Sequence, residues 1–261
     1  MTEREATMTL TAHLEELRRR LIVAAVAVGV GFCVSYYFSE FLYDLLTGPL
    51  MPALPEGTDF LAFTGVVEPF FVYMKVGLLG GAILASPVVL YELWAFVAPG
   101  LYSGERKWFV ALVFSSVVLF AAGTLFAYFV VFPFAFKYLL GYSSESLKPV
   151  LSMGLYFSLV TRLLLAFGAV FQLPLAILVL ARLGIVTPGQ LIGWWRYALI
   201  SILIASALIT PTPDVFNQLL MAGPLIFLYG VSVVAAALFG RKKKEGEEEE
   251  KDDEGAGEGR E

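Results

Sequence analysis

Apolar residues fill long blocks of this chain, separated by short polar clusters. The blocks cover residues 21–40, 70–97, 108–132, 152–183, 194–210 and 214–239. About 20 apolar residues in a helix cross about 30 Å of hydrocarbon, so the pattern predicts six membrane-spanning helices. The second block would be about 42 Å long as a helix, so it must tilt, kink or protrude. Pro87 removes one of its hydrogen bonds and predicts a bend there. The third block is expected to stop at Pro133. The fourth is again too long for one perpendicular crossing. Arg162 places residues 151–161 outside or on the surface and the span proper at 163–183. The fifth, about 26 Å as a helix, implies local thinning or a shifted depth.

The polar clusters orient these spans. Leu10, Leu14, Leu17 and Leu21 recur at helical spacing within a charged leader. Glu15 and Glu16 each precede an arginine, Arg19 and Arg20, by four residues, the favourable order for helical ion pairs. The leader therefore reads as an amphipathic helix running straight into the first span. Bases gather before that span, at Arg106 and Lys107, at Arg182 and Arg196, and at 241–244. Residues 44–68 carry acids but no Lys or Arg. The positive-inside bias then puts both termini in the cytosol and residues 44–68 outside. That connection holds several prolines and retains Leu50, Met51, Leu54, Phe60, Leu61 and Phe63, so it is expected to form a folded cap. Thr187-Pro188 reads as a helix start, and Asp214 or Thr212 as an N-cap.

Composition agrees with the pattern. Of 261 residues 58% are hydrophobic, more than a soluble domain of this size requires. The formal charge of -5 misleads, because residues 245–261 hold ten acids and two bases. The other 244 residues carry a net +3, sixteen bases against thirteen acids. Residues 1–240 form one transmembrane domain on this reading, and 241–261 a charged tail unable to bury a core. Cys33, the single cysteine, allows no internal disulfide. The first block is long and lacks a small-residue cleavage site, so it reads as a retained anchor.

Chemistry-bearing residues are sparse. His13 is the only histidine, and no nucleophile, metal-binding or phosphate-cradling motif is present. An enzyme is not expected, nor a cofactor or a metal. Ionisable residues within spans are the usual functional pointers. Here Glu92 lies near the cytosolic end of the second block, where it can snorkel or pair with a base. Gln172 lies near mid-membrane, two residues before Pro174. It can satisfy the carbonyl that the proline frees or donate to a neighbouring helix. Six kinked spans also suit a small-solute secondary transporter, although no internal repeat and no midplane acid support one.

Several motifs together resemble the TatC family, the polytopic subunit of the twin-arginine (Sec-independent) protein translocase. They include His13-Leu14-Glu15-Glu16-Leu17-Arg18, Gly48-Pro49-Leu50, Pro69-Phe70-Phe71 and Ser86-Pro87-Val88-Val89-Leu90-Tyr91. Trp94 to Tyr102, Phe126 to Pro133, Ala166-Phe167-Gly168 and Thr210 to Phe216 continue the series. The resemblance implies export of folded proteins bearing twin-arginine signal peptides, driven by the proton-motive force without nucleotide. It implies an inner-membrane location, TatA- and TatB-type single-span partners, self-association in a receptor complex, and no nucleic acid. It places signal-peptide recognition on Glu16 and Glu105, since carboxylates bind guanidinium groups through bidentate, charge-assisted bonds. It assigns partner-helix contact to Gln172, Leu208 and Thr210, and structural support to Pro49, Phe70, Pro87, Phe96, Tyr128 and Asp214. Many members carry glutamate where this chain has Gln172, and an amide cannot shuttle a proton.

Overall fold

The computed structural model describes residues 10–54, 61–97, 106–141, 149–210 and 215–239. Glu105, Asp214, the hairpin around it and the tail 241–261 lie outside the described residues. Within them the chain is helical: α1 (Leu10–Tyr37), α2 (Ser39–Thr47), a 3-10 turn (Met51–Ala53), α3 (Glu68–Val97) and α4 (Arg106–Phe126). A π-helical turn (Ala127–Val131) joins α4 to α5 (Phe132–Leu140). Then follow α6 (Met153–Val170), α7 (Leu173–Arg182), α8 (Pro188–Gly193), α9 (Trp195–Ile209) and α10 (Val215–Phe239). Five segments are long and apolar enough to cross a membrane: 12–37, 68–97, 107–140, 153–182 and 217–239. Trp195–Ile209 is a shorter apolar helix, as its block length predicted.

The leader and first span form one continuous helix, α1. α1 breaks at Phe38 and restarts as α2, which turns into the cap. α1 packs along α3 at unusually close range. A Cβ on Gly31 would fall 2.6 Å from the Gly81 carbonyl oxygen, and one on Gly81 would collide with the Phe32 backbone. Small residues let helix backbones approach where no hydrophobic force distinguishes protein from lipid. Val26, Val30 and Val34 on α1 remain exposed, as do Leu84 on α3 and Phe114 on α4, which suits a hydrocarbon surround.

One expectation is corrected here. Pro133 does not end its helix. The preceding turn widens to a π-turn, and Pro133 falls in the first turn of α5, where a missing N–H costs least. The fourth block is broken at Phe171–Gln172 into α6 and α7, with Pro174 in the first turn of α7. Within 151–161, Met153, Tyr156, Phe157 and Val160 are buried. The cap covers them, which periodicity could not reveal.

The main core joins Leu46 and Leu50 of the cap to Val72, Val76, Phe132, Phe157, Phe167 and Met221. Leu50 is 0% exposed, whereas Met51 and Phe63 face outward. A parallel bridge fastens the two connections at this end: Ala62 N–H donates to Leu151 O, and Met153 N–H donates to Ala62 O, both at 2.9 Å. A second core, with Trp94, Phe109, Leu112, Leu175 and Val179, fills the end where the leader lies. There Thr187 and Gln190 form a capping box that starts α8 at the expected position.

Candidate functional site

At the leader end, α1 and the last turns of α3 converge on charged side chains. Arg20 donates to Glu16 Oε1 through Nη2 at 2.6 Å and Nε at 3.0 Å, and to Glu92 Oε2 through Nη1 at 2.9 Å. The first pair is the expected i,i+4 pairing. The second ties α1 to α3, 72 residues later in the chain. All three side chains are partly covered, at 24% exposure for Arg20, 23% for Glu16 and 16% for Glu92. Glu16, Arg19, Arg20, Val23, Tyr91 and Glu92 line a recess of about 290 Å³. One helical turn before Glu16, the His13 ring stacks on Phe96 with centroids 4.5 Å apart and planes 18° from parallel. That contact fixes the leader against α3 a second time. Glu92 thus takes the role of pairing with a nearby base, and the sequence offered no sign that the base is Arg20.

The remaining site residues are dispersed. Tyr128, in the π-turn, donates its hydroxyl to Leu45 O at 2.7 Å, and Tyr156 donates to Leu46 O at 2.7 Å. The last-turn carbonyls of a helix lack internal partners, and two tyrosines from other helices satisfy these two at the end of α2. Pro49 lies half-buried in the turn between α2 and Leu50. Phe70 is exposed, with its ring edge-on to Phe71. These residues lie at the cap end; Phe70 precedes Glu92 by 22 residues of α3, about 33 Å at 1.5 Å per residue. None of them lines the recess: Tyr128 bonds the end of α2, and the exposed Phe70 meets its neighbour Phe71. Pro87 lies on an exposed face of α3, which continues through it to Val97.

Gln172 closes the α6–α7 break. Its Nε2 donates to Ser116 O on α4 at 3.1 Å, while its Oε1 is buried without a hydrogen-bond partner. The Ser116 hydroxyl accepts from Trp94 Nε1 at 2.5 Å, so α3, α4 and the break share one polar junction. The carbonyl that Gln172 meets is on another helix, not the one Pro174 frees. Leu208 is 75% exposed and available to a neighbour. Thr210 is 8% exposed and donates its hydroxyl back to Ser206 O.

Glu68 was legible in the sequence only as one of the acids of the external connection. Its Oε2 accepts from Thr64 N–H at 2.6 Å, Thr64 Oγ1 at 3.0 Å and Gly65 N–H at 3.3 Å. Its Oε1 accepts from Ser152 Oγ and Gly154 N–H, each at 2.8 Å. The carboxylate thus sits at the N-terminus of α6, where orphan N–H groups and the helix dipole favour negative charge. A Cβ on Gly154 would lie 2.5 Å from Glu68 Oε1, so a larger residue there has to displace the carboxylate. No local pattern links residues 84 apart.

Residues 12–224 match the family model described as Sec-independent protein translocase protein (TatC). The chain belongs to the TatC family. A TatC protein of Desulforapulum autotrophicum is 46% identical over 93% of this chain and 89% of its own length. That of Escherichia coli is 42% identical over 88% of each. A crystal structure of a twin-arginine translocase receptor, TatC, superposes with a TM-score of 0.77 at 39% identity, covering 87% of this chain and 98% of the other. The chain is therefore an all-helical inner-membrane subunit of the twin-arginine translocase with a receptor role, a transport component and not an enzyme. The small-solute transporter alternative finds no support in these relatives.

Proposed function

We propose that the recess at the junction of α1 and α3 receives the paired arginines of a twin-arginine signal peptide, with Glu16 as one acceptor. The observation that carries this reading is that Glu16 already holds a guanidinium group, through two nitrogens of Arg20. A planar, five-donor guanidinium matches a carboxylate in a way that a lysine ammonium does not. His13 and Phe96 brace the helix that presents Glu16. Glu105, which precedes α4, supplies the second acid on this reading. Six spans, with both termini in the cytosol, place the recess on the side from which cargo comes. Residues 1–240 form the translocase domain and 241–261 the tail.

TatA- and TatB-type single-span subunits dock on the membrane face, where Leu208 gives an exposed apolar contact and Gln172 gives a polar one only by turning its amide away from Ser116 O. The buried Thr210 shapes the end of α9 instead of touching a partner. Export draws on the proton-motive force, and Gln172 takes no titrating part in it. The chain also associates with further copies of itself in the receptor complex.

Site-specific crosslinking in native membranes tests the site. A photoreactive residue at position 16 is expected to capture a twin-arginine signal peptide. Glu16→Ala is expected to lower capture from a probe at position 105 at least several-fold, with membrane insertion intact. Undiminished capture removes Glu16 from the site.

A further inference from the structure

Among the described residues that line the recess, the charges balance. Glu16 and Glu92 face Arg19 and Arg20, and Arg20 bridges the two carboxylates. An arriving peptide arginine therefore meets an acid already engaged by a guanidinium. Both bonds from Arg20 to Glu16 fall on Oε1, and Oε2 accepts no bond among the described residues. The third bond, at 2.9 Å, leaves from the other terminal nitrogen, Nη1, and is accepted on a different helix, by Glu92 Oε2.

We infer that Arg20 is a resident competitor for the signal-peptide site, released from Glu16 by the incoming arginine and retained by Glu92. This inference rests on the reading of Glu16 as a signal-peptide acceptor and adds a control to it. Leaving a buried charge unpaired is what makes breaking an ion pair costly. Here Glu92 continues to neutralise Arg20 after Glu16 is given up, so the exchange strands no charge. The side chains are a quarter exposed or less, and still open to the recess, so the exchange needs no rearrangement of the core.

A competitor lowers the affinity of every ligand for the site by the same factor. It does not itself distinguish arginine from lysine, since that preference comes from the guanidinium fork. It raises the threshold that any cationic peptide must clear, so a weakly held paired-lysine sequence falls below useful binding. A partly exposed ion pair sets the factor at about two- to fivefold.

The test uses the full-length chain with its partner subunits in native membrane vesicles. A fluorescent twin-arginine signal peptide and its paired-lysine counterpart are titrated against each. Arg20→Gln is expected to tighten binding of both peptides by the same factor, about two- to fivefold. Glu92→Gln is expected to weaken both, because Arg20 then has only Glu16 to hold. Combining the two changes should restore the Arg20→Gln level, a non-additivity that a competitor requires. Arg20→Lys keeps the charge that orients α1 and loses the fork; it gives a smaller gain and serves where the glutamine variant fails to insert. Weaker or unchanged binding in both Arg20 variants overturns the inference, as does additivity of Arg20→Gln with Glu92→Gln. Glu16→Gln separates the two readings. If it leaves wild-type binding unchanged, the acceptor assignment itself fails, whatever Arg20 does.

Discussion

Two tyrosine hydroxyls hold the end of α2, and their settings differ. Tyr156 is buried, and its loss leaves the Leu46 carbonyl without that partner inside the core. Tyr156→Phe is expected to cost about 1–3 kcal/mol. Leu45 O also accepts from Gly48 N–H at 3.3 Å, so Tyr128→Phe should cost less, about 0.5–1.5 kcal/mol. Thermal unfolding of the purified variants in detergent ranks them. Gln172 makes a different case. Replacing it with leucine loses one interhelical bond, worth about 0.6 kcal/mol on average between membrane helices, and also removes the unpartnered Oε1. Gln172→Leu should therefore change the stability of the chain by less than about 1 kcal/mol. A large loss of partner-helix crosslinking in that variant, at unchanged stability, marks a docking role; a large loss of stability removes the grounds for one.

Helix α3 organises the molecule at the scale of elements. Its first residue, Glu68, ties the two cap connections to the start of α6, and its last turns hold Glu92 and Phe96 against the leader. The intervening contact with α1 depends on Gly31 and Gly81. Gly81→Ala inserts a methyl group where the Phe32 backbone already lies, and overpacking of this kind costs about 1–3 kcal/mol. It should also separate Arg20 from Glu92, seen as a fall in disulfide formation between cysteines placed at 20 and 92. Glu68→Ala acts at the opposite end. It is expected to speed protease cleavage within 55–67 several-fold, with the recess unaffected.

For the molecule as a whole, the charge pattern predicts a single orientation. A reporter fused after residue 261 should remain cytosolic, and one inserted within 52–60 should be external. The opposite labelling would invert the side assigned to the recess. The arrangement also separates functions. The charged recess lies at one end of the bundle and the braced cap at the other, joined by α3, so a change at Tyr128 should act through stability before it alters peptide affinity.

Sequence alone determined the helical class, the five helices long and apolar enough to cross a membrane, the short ninth helix and the i,i+4 pairing of Glu16 with Arg20. These follow from hydrophobic block length and from neighbours within four residues. The motif set identified the family, which the comparisons with TatC proteins show. Tertiary structure decided what depends on residues far apart in the chain. It passed the helix through Pro133 by widening the turn before it, and it buried one face of 151–161 beneath the cap. It also brought Glu92 to Arg20 and Ser152 to Glu68 across 72 and 84 residues. Periodicity records which face of a helix is apolar, whereas pairing between helices depends on their packing, and no local pattern encodes that.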